Sequence, residues 1–423
     1  MAIISGLFLY ATTLLVLGLA FLSSAAKVHC DIGVGGRRDL AEATKASGIK
    51  VFDITKYGAK GDDKTDCTMA FMKAWNEACR TDTGPAKILV PKGTFMTAPV
   101  IFQGPCKSNE PIIFEVQGTV KATNDLSQYS EDTWFLFEKI IGVVLIGGGI
   151  FDGQGPSVWK YNDCKKNKDC TKLPSSIKFQ RVTNAVVSDI TSVNSKFFHY
   201  HVTDCTNFTA NNLKIVAPDD SPNTDGMHIS DTNGVKVTKS TIGTGDDCIS
   251  IGQGVTNATI SEVFCGPGHG LSIGSLGKYE DEADVKGIMV INCTLFNTTN
   301  GVRIKTWAAS PPSAASNITF QDIIMKSVKN PIIIDQKYGS RSSTEPSRVK
   351  ISDVHYKNIR GTSTSKVAVN FLCSSSVPCE GIELTNIDLS YVGTKDPESP
   401  ISASCTNAKV KTRGAHPPGC EEL

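Results

Sequence analysis

Between Asp225 and Lys305 one six-residue pattern occurs four times: DGMHIS (225–230), DCISIG (247–252), HGLSIG (269–274) and NGVRIK (300–305). Met227, Ile249, Leu271 and Val302 align, as do Ile229, Ile251, Ile273 and Ile304, at successive offsets of 22, 22 and 31 residues. Apolar residues two positions apart mark a strand with one buried face. A strand that returns at this interval, without the regular helical interlude of a βαβ sheet, predicts a solenoid of stacked coils. The expected fold is therefore all-β, a parallel β-helix, with residues 50–405 supplying roughly ten coils. A β-sandwich is the alternative, because alternation alone does not separate the two.

The surrounding sequence extends the pattern. IKFQRVTNAVVSDITSVN (177–194), VKVTKSTIGTGDDCISIG (235–252), GIMVINCTLFNTTNGVRI (287–304) and NITFQDIIMKSVKNPIIID (317–335) are apolar alternations broken by Asn, Asp, Gly or Thr. Before them, TDCTMAFMKAWNEAC (65–79) puts Phe71, Ala74, Trp75 and Ala78 at helical spacing, with Thr65 or Asp66 able to cap its start. A solenoid needs its open end covered, and this helix is the expected N-terminal cap. Cys67 and Cys79 would lie roughly 18 Å apart along it, too far to bond to each other.

The first 26 residues carry no charged side chain and end in small residues before Lys27, the pattern of a secretory signal peptide cleaved after Ala25 or Ala26. Residues 27–49 read as a polar lead-in, and 50–423 as a single β-helical domain. The 423-residue chain has 43 Lys+Arg against 42 Asp+Glu, a net charge of +1, which argues against nucleic acid or an anionic membrane as partner. Fourteen cysteines in an exported chain suggest disulfides, and none stands in a C-x-x-C zinc pattern. Five N-x-S/T triplets, at Asn207, Asn257, Asn292, Asn297 and Asn317, fit glycosylation in a secretory pathway.

The repeat also sorts the polar residues. Equivalent positions on successive coils stack about 4.8 Å apart, so Asp225, Asp247 and His269 share a column and Asp246 stands beside it. His228, Ser250, Ser272 and Arg303 alternate with the inward apolar residues and face outward, with Lys305 two residues beyond Arg303. Two carboxylates about 5 Å apart at an effective dielectric near 20 repel by roughly 3 kcal/mol, less whatever Arg303 and Lys305 offset. Three uses of such a cluster remain open at this point. A glycoside hydrolase needs one protonated and one ionised carboxyl group. A calcium site gathers aspartates, although the histidine and the two cations oppose it. A structural turn uses Asp for its own backbone.

NTDG (223–226), GDD (245–247), GHG (268–270) and RIK (303–305) occur in the order and spacing of the polygalacturonases, glycoside hydrolase family 28, which the chain resembles. FDITKYGAKGDDKTDCTMAFMKAW (52–75), VPKGTF (90–95) and GGGIFDGQG (147–155) look like its plant members, and NSKFFHYHVTDC (194–205) is similar to pollen-type exopolygalacturonases. The resemblance implies a right-handed β-helix that hydrolyses α-1,4 bonds of polygalacturonate with inversion, without metal or cofactor. It implies Asp246 as general acid, Asp225 and Asp247 as the pair activating water, and His269 as a tuner of the acid. Arg303, Lys305 and Tyr338 would bind substrate. Disulfides Cys248–Cys265, Cys373–Cys379 and Cys405–Cys420 are expected from the family. The resemblance further implies a secreted, cell-wall enzyme, expected to be a monomer, releasing galacturonic acid from a chain end. A pectate lyase and a non-catalytic pectin-binding solenoid are the competing readings. His199 and His201 are read as structural before they are read as cleft residues, and Lys165, Lys166, Lys168 and Lys172 as a solvated basic loop.

Overall fold

Stacking identical positions makes each interior column a continuous apolar rod. In the computed structural model, which describes residues 48–163, 167, 170, 172–339, 344–394, 400–418 and 420, two such rods run behind an eleven-stranded sheet. Its pairings are parallel from Val100–Gln103 at one end to Ser402–Thr406 at the other, with register shifts after Ile273, Lys305 and Val367. One rod begins with phenylalanines at Phe102, Phe137 and Phe179 and continues through Val202, Ile229, Ile251, Ile273, Ile304 and Ile334 to Phe371. The predicted alignment of 225–305 is thus the central part of a longer ladder. Parallel pairing throughout excludes the β-sandwich, whose sheets are antiparallel. The fold is a parallel β-helix, and a second, 22-stranded parallel sheet forms the remaining walls of the coils.

Left-handed turn residues make the corners. Asn184, Asn207, Gly234, Asn257, Gly287, Asn317, Asp353 and Gly381 stand at one corner on successive coils, all with φ between +54° and +76°. Asparagine, aspartate and glycine tolerate this region at least cost. Side-chain amides also bond from rung to rung, Asn207 to Asn184 Oδ1 at 3.0 Å and Asn257 to Asn233 Oδ1 at 2.8 Å.

The predicted helix spans Thr68–Asn76 and buries Ala70, Phe71, Ala74 and Trp75. Asp66 Oδ1 accepts from the Thr68 amide at its start. Phe71 packs edge-on to Phe135 at 5.8 Å and Trp75 against Phe102 at 5.2 Å, so the helix covers the aromatic end of the rod. Each such side chain contributes about 1.5–3 kcal/mol through burial.

The disulfides Cys248–Cys265, Cys373–Cys379 and Cys405–Cys420 are present. Cys79 bonds to Cys106, tying the end of the helical segment to the loop after Gln103, a pairing not anticipated. Cys67, Cys205 and Cys293 are buried free thiols acting as small apolar side chains inside the coil. The signal peptide (1–26), the lead-in up to residue 47, and Lys165, Lys166 and Lys168 lie outside the described residues. Among the described residues, no helix is long and apolar enough to cross a membrane.

Candidate active site

The outward positions of the eleven-stranded sheet form the floor of the site. Register places His201, His228, Ser250, Ser272 and Arg303 in one row on five successive coils. The acidic residues lie at the mouths of the same strands, two positions before the inward apolar residues Met227 and Ile249.

Asp247 is fully buried, and three hydrogen bonds engage its carboxylate, leaving one acceptor position on Oδ2. Oδ1 accepts from Arg303 Nη2 at 2.7 Å and Ser272 Oγ at 2.8 Å, and Oδ2 accepts from Lys305 Nζ at 2.7 Å. Burial alone would raise its pKa, but Arg303 and Lys305 outweigh it and hold the group well below the usual carboxylate range. Asp247 is therefore an ionised anchor. Arg303 and Lys305, read from sequence as substrate cations, are engaged first with this carboxylate. Lys305 still has N–H donors to spare, because an ammonium carries three.

Asp225 is the opposite case. It is 6% exposed, and Ser250 Oγ donates to its Oδ2 at 2.7 Å. Burial, then the charges of Asp246 and Asp247, push its pKa well above the ordinary value, with Lys305 opposing. The expected water-activating pair is thus electrostatically split, one member locked as an anion and the other biased to hold a proton. His228 Nδ1 lies 2.8 Å from Ser250 Oγ and donates to it whenever Ser250 gives its own hydrogen to the Asp225 carboxylate. Burial lowers the pKa of His228 to about 4, which keeps its ring neutral above that pH.

A raised carboxyl pKa costs stability once pH exceeds the unfolded value near 3.9, because folding must then either take up a proton or hold the charge at a penalty. Asp225→Asn should therefore raise Tm by a few degrees at pH 7 while abolishing most activity. The difference should vanish near pH 4, where the unfolded carboxyl is itself half protonated. A lower Tm at pH 7 in scanning calorimetry would contradict this electrostatic account.

Asp246 is the most accessible of the three, its side chain 18% exposed. Its Oδ1 accepts the Asp247 amide at 2.8 Å and lies 2.9 Å from His269 Nδ1, and its Oδ2 faces Asn223 Nδ2 at 3.3 Å. An imidazole there serves both states of the acid, donating to the carboxylate or accepting from the carboxylic acid. Asn223 is held in turn by Asn162 Nδ2 at 3.3 Å, a contact between loops 61 residues apart.

Tyr338 flanks Lys305, whose Nζ lies 5.3 Å from the ring centroid. His201 stands in the floor row beside His228, whereas His199 turns inward, is fully buried and contacts Ser192 Oγ at 2.8 Å. Sequence reasoning passed over Asn162 and Phe198. Phe198 stacks on His228 at 4.8 Å, and its place two residues before Tyr200, in the column of Asp225, is a signal that could have found it.

Asp246, Asp247 and His269 each offer an atom within 4.8 Å of the others, which bears on the calcium reading of the clustered aspartates. Both Asp247 oxygens already face cations, so a divalent ion would enter against Arg303 and Lys305. The donor set does not suit calcium, which takes six to eight oxygens.

The model of the glycosyl hydrolases family 28 matches residues 79–414. The chain belongs to this family. Among family 28 relatives, an exopolygalacturonase of Arabidopsis thaliana is 49% identical over 383 residues, covering 89% of each chain. An exopolygalacturonase structure from Thermotoga maritima matches 86% of this chain and 92% of its own, with a TM-score of 0.68 and 20% identity. An endo-xylogalacturonan hydrolase structure from Aspergillus tubingensis matches 87% and 100%, with a TM-score of 0.73 and 24% identity. At these identities the two structures speak for the fold alone. Membership of family 28, together with relatives that are polygalacturonases, makes the protein a glycosidase of the polygalacturonase kind.

Proposed function

We propose that the protein is a secreted exo-acting polygalacturonase that hydrolyses α-1,4-galacturonosyl bonds with inversion. The observation that carries this reading is the division of labour among three adjacent carboxyl groups, with cations at the same spot. Asp246, accessible and backed by His269, protonates the departing glycosidic oxygen. Asp247 and Asp225 hold the attacking water, and Asp225 becomes competent as base when its proton has left. Asp246 uncharged as the acid removes one of the two charges that press on Asp225, so protonating the first favours ionising the second. Arg303 and Lys305 offer their remaining N–H groups to the carboxylate of the sugar, an anion that both side chains suit.

Close carboxyl groups, about 5–5.5 Å apart, are the usual mark of a retaining enzyme, whose second carboxylate attacks the sugar. Asp247 is ill placed for that, since it has no exposed surface and its oxygens accept from Arg303, Lys305 and Ser272. Inversion through a held water is the better reading. Exo action follows the name of the Arabidopsis relative, and export follows the uncharged first 26 residues, a signal peptide whose removal leaves a cell-wall protein. Activity is expected to fall on both sides of a pH optimum, because hydrolysis needs one carboxyl group protonated and another ionised at the same time.

A time course on de-esterified polygalacturonate, followed by proton NMR, tests each element. Galacturonic acid as sole early product, with its anomeric carbon inverted, is the expected result. Mixed oligomers would make the enzyme endo-acting, and retained configuration would overturn the water mechanism. Unsaturated ends absorbing in the ultraviolet and lost with EDTA would replace the hydrolase by a lyase. No product at all would leave a binding solenoid.

A further inference from the structure

Past Lys305 the site continues into aromatic and cationic surface that the reaction at the three aspartates does not use. Trp307 lies edge-on to Tyr338, ring centroids 5.1 Å apart. Gly339, at φ +70°, backs onto the same indole so closely that an added Cβ would meet it at 2.2 Å. Lys278 Nζ lies 5.7 Å from the Trp307 ring and 5.4 Å from that of its neighbour Tyr279. The indole Nε1 is buried and has no hydrogen-bond partner among the described residues.

The loop that carries Lys278 is built rather than slack. The Glu282 carboxylate accepts the backbone N–H groups of Gly277, Lys278 and Tyr279, at 2.5, 2.7 and 3.0 Å. The loop is rich in acid, with Glu280, Asp281, Glu282 and Asp284. Glu282 is occupied by the backbone, and Asp284 accepts from the Ala314 amide at 2.7 Å. Among the described residues, no carboxylate lies within ion-pair distance of the Lys278 ammonium. Contacts thus run unbroken from Asp247 through Lys305, Tyr338 and Trp307 to Lys278.

We propose that Lys278, seated over Trp307, binds the carboxylate of the galacturonosyl residue next beyond the one held by Arg303 and Lys305. It makes the enzyme select chains of at least three acidic sugars. The proposal rests on the polygalacturonase reading above. An ammonium over an aromatic face is fixed in position yet keeps N–H donors for an incoming anion. A methyl ester on that third sugar removes the charge, so this position reads esterification one residue away from the bond that breaks.

The test compares kcat/KM on digalacturonate, trigalacturonate and trigalacturonate methyl-esterified only on the third sugar. The wild type should prefer the free trimer over the dimer by about five- to tenfold, the worth of one partly exposed charged hydrogen bond. The esterified trimer should behave like the dimer. Lys278→Ala should lose the trimer preference while changing turnover of the dimer less than twofold, and Lys278→Arg should keep most of it. An unchanged trimer preference in Lys278→Ala overturns the proposal, as does equal loss on dimer and trimer. A wild type that hydrolyses none of the three refutes the polygalacturonase reading instead.

Discussion

Asp246→Asn is expected to lower kcat by about 10²–10⁴-fold, the range that a positioned general acid contributes. KM should change little, because the groups assigned to the substrate carboxylate remain. The amide can still accept from the Asp247 N–H through its oxygen, so a folded protein with near wild-type Tm is expected. The decisive comparison uses two substrates. A 4-nitrophenyl α-galacturonide has a leaving group that departs without a proton, so the variant should lose far less activity on it than on digalacturonate. Equal losses on both would show that Asp246 does something other than protonate the leaving oxygen. The same variant should also relax Asp225, because one of the charges that raises its pKa is gone.

Lys305→Met should give the largest loss of stability at the site, about 3–5 kcal/mol, the cost of leaving a buried charge short of a partner. Arg303 remains beside Asp247, which places the expectation at the lower end. Its pH dependence identifies the cause. In the native protein the Asp247 pKa is depressed, so its stabilisation is present above the unfolded value near 3.9 and disappears as pH falls through the folded value. Without Lys305 the folded pKa rises toward the unfolded one. The gap in Tm between wild type and variant should be full at pH 6 and shrink steadily as the pH is lowered below 4. A constant gap would mean that lost packing, and not the ion pair, carried the effect. Activity should fall as well, since Lys305 serves both Asp247 and the substrate.

The fold was legible because a β-helix repeats its demands. Ile229, Ile251, Ile273 and Ile304 match in sequence since each fills the same interior column, and a repeated pattern survives without knowledge of any contact. The column of Asp225, Asp247 and His269 followed from that register. Charge state did not follow. Nothing in the spacing says that Arg303 and Lys305 turn toward Asp247, or that Asp225 is buried, because both depend on side-chain direction and depth. The Cys79–Cys106 bond was illegible for a related reason, as it joins a helix end to a loop that no repeat governs. Asn162 reaches Asn223 only because two loops fold over the same edge.

The left-handed corners bear on how the chain would carry sugar of its own. All five asparagines of the N-x-S/T triplets sit at positive φ, and all five middle residues, Phe208, Ala258, Cys293, Thr298 and Ile318, are buried. A corner asparagine followed by an inward residue is what the coil favours, so the acceptor consensus for glycans arises as a by-product of turn geometry wherever the next, outward residue is threonine. Its abundance therefore weakens as an independent sign of export. The corners are also unequal as attachment points. A glycan on Asn207 or Asn257 would attach to a nitrogen that already donates from rung to rung, leaving it a single hydrogen for that bond. Asn292, Asn297 and Asn317 make no such side-chain bond among the described residues, and decoration there leaves the ladder whole.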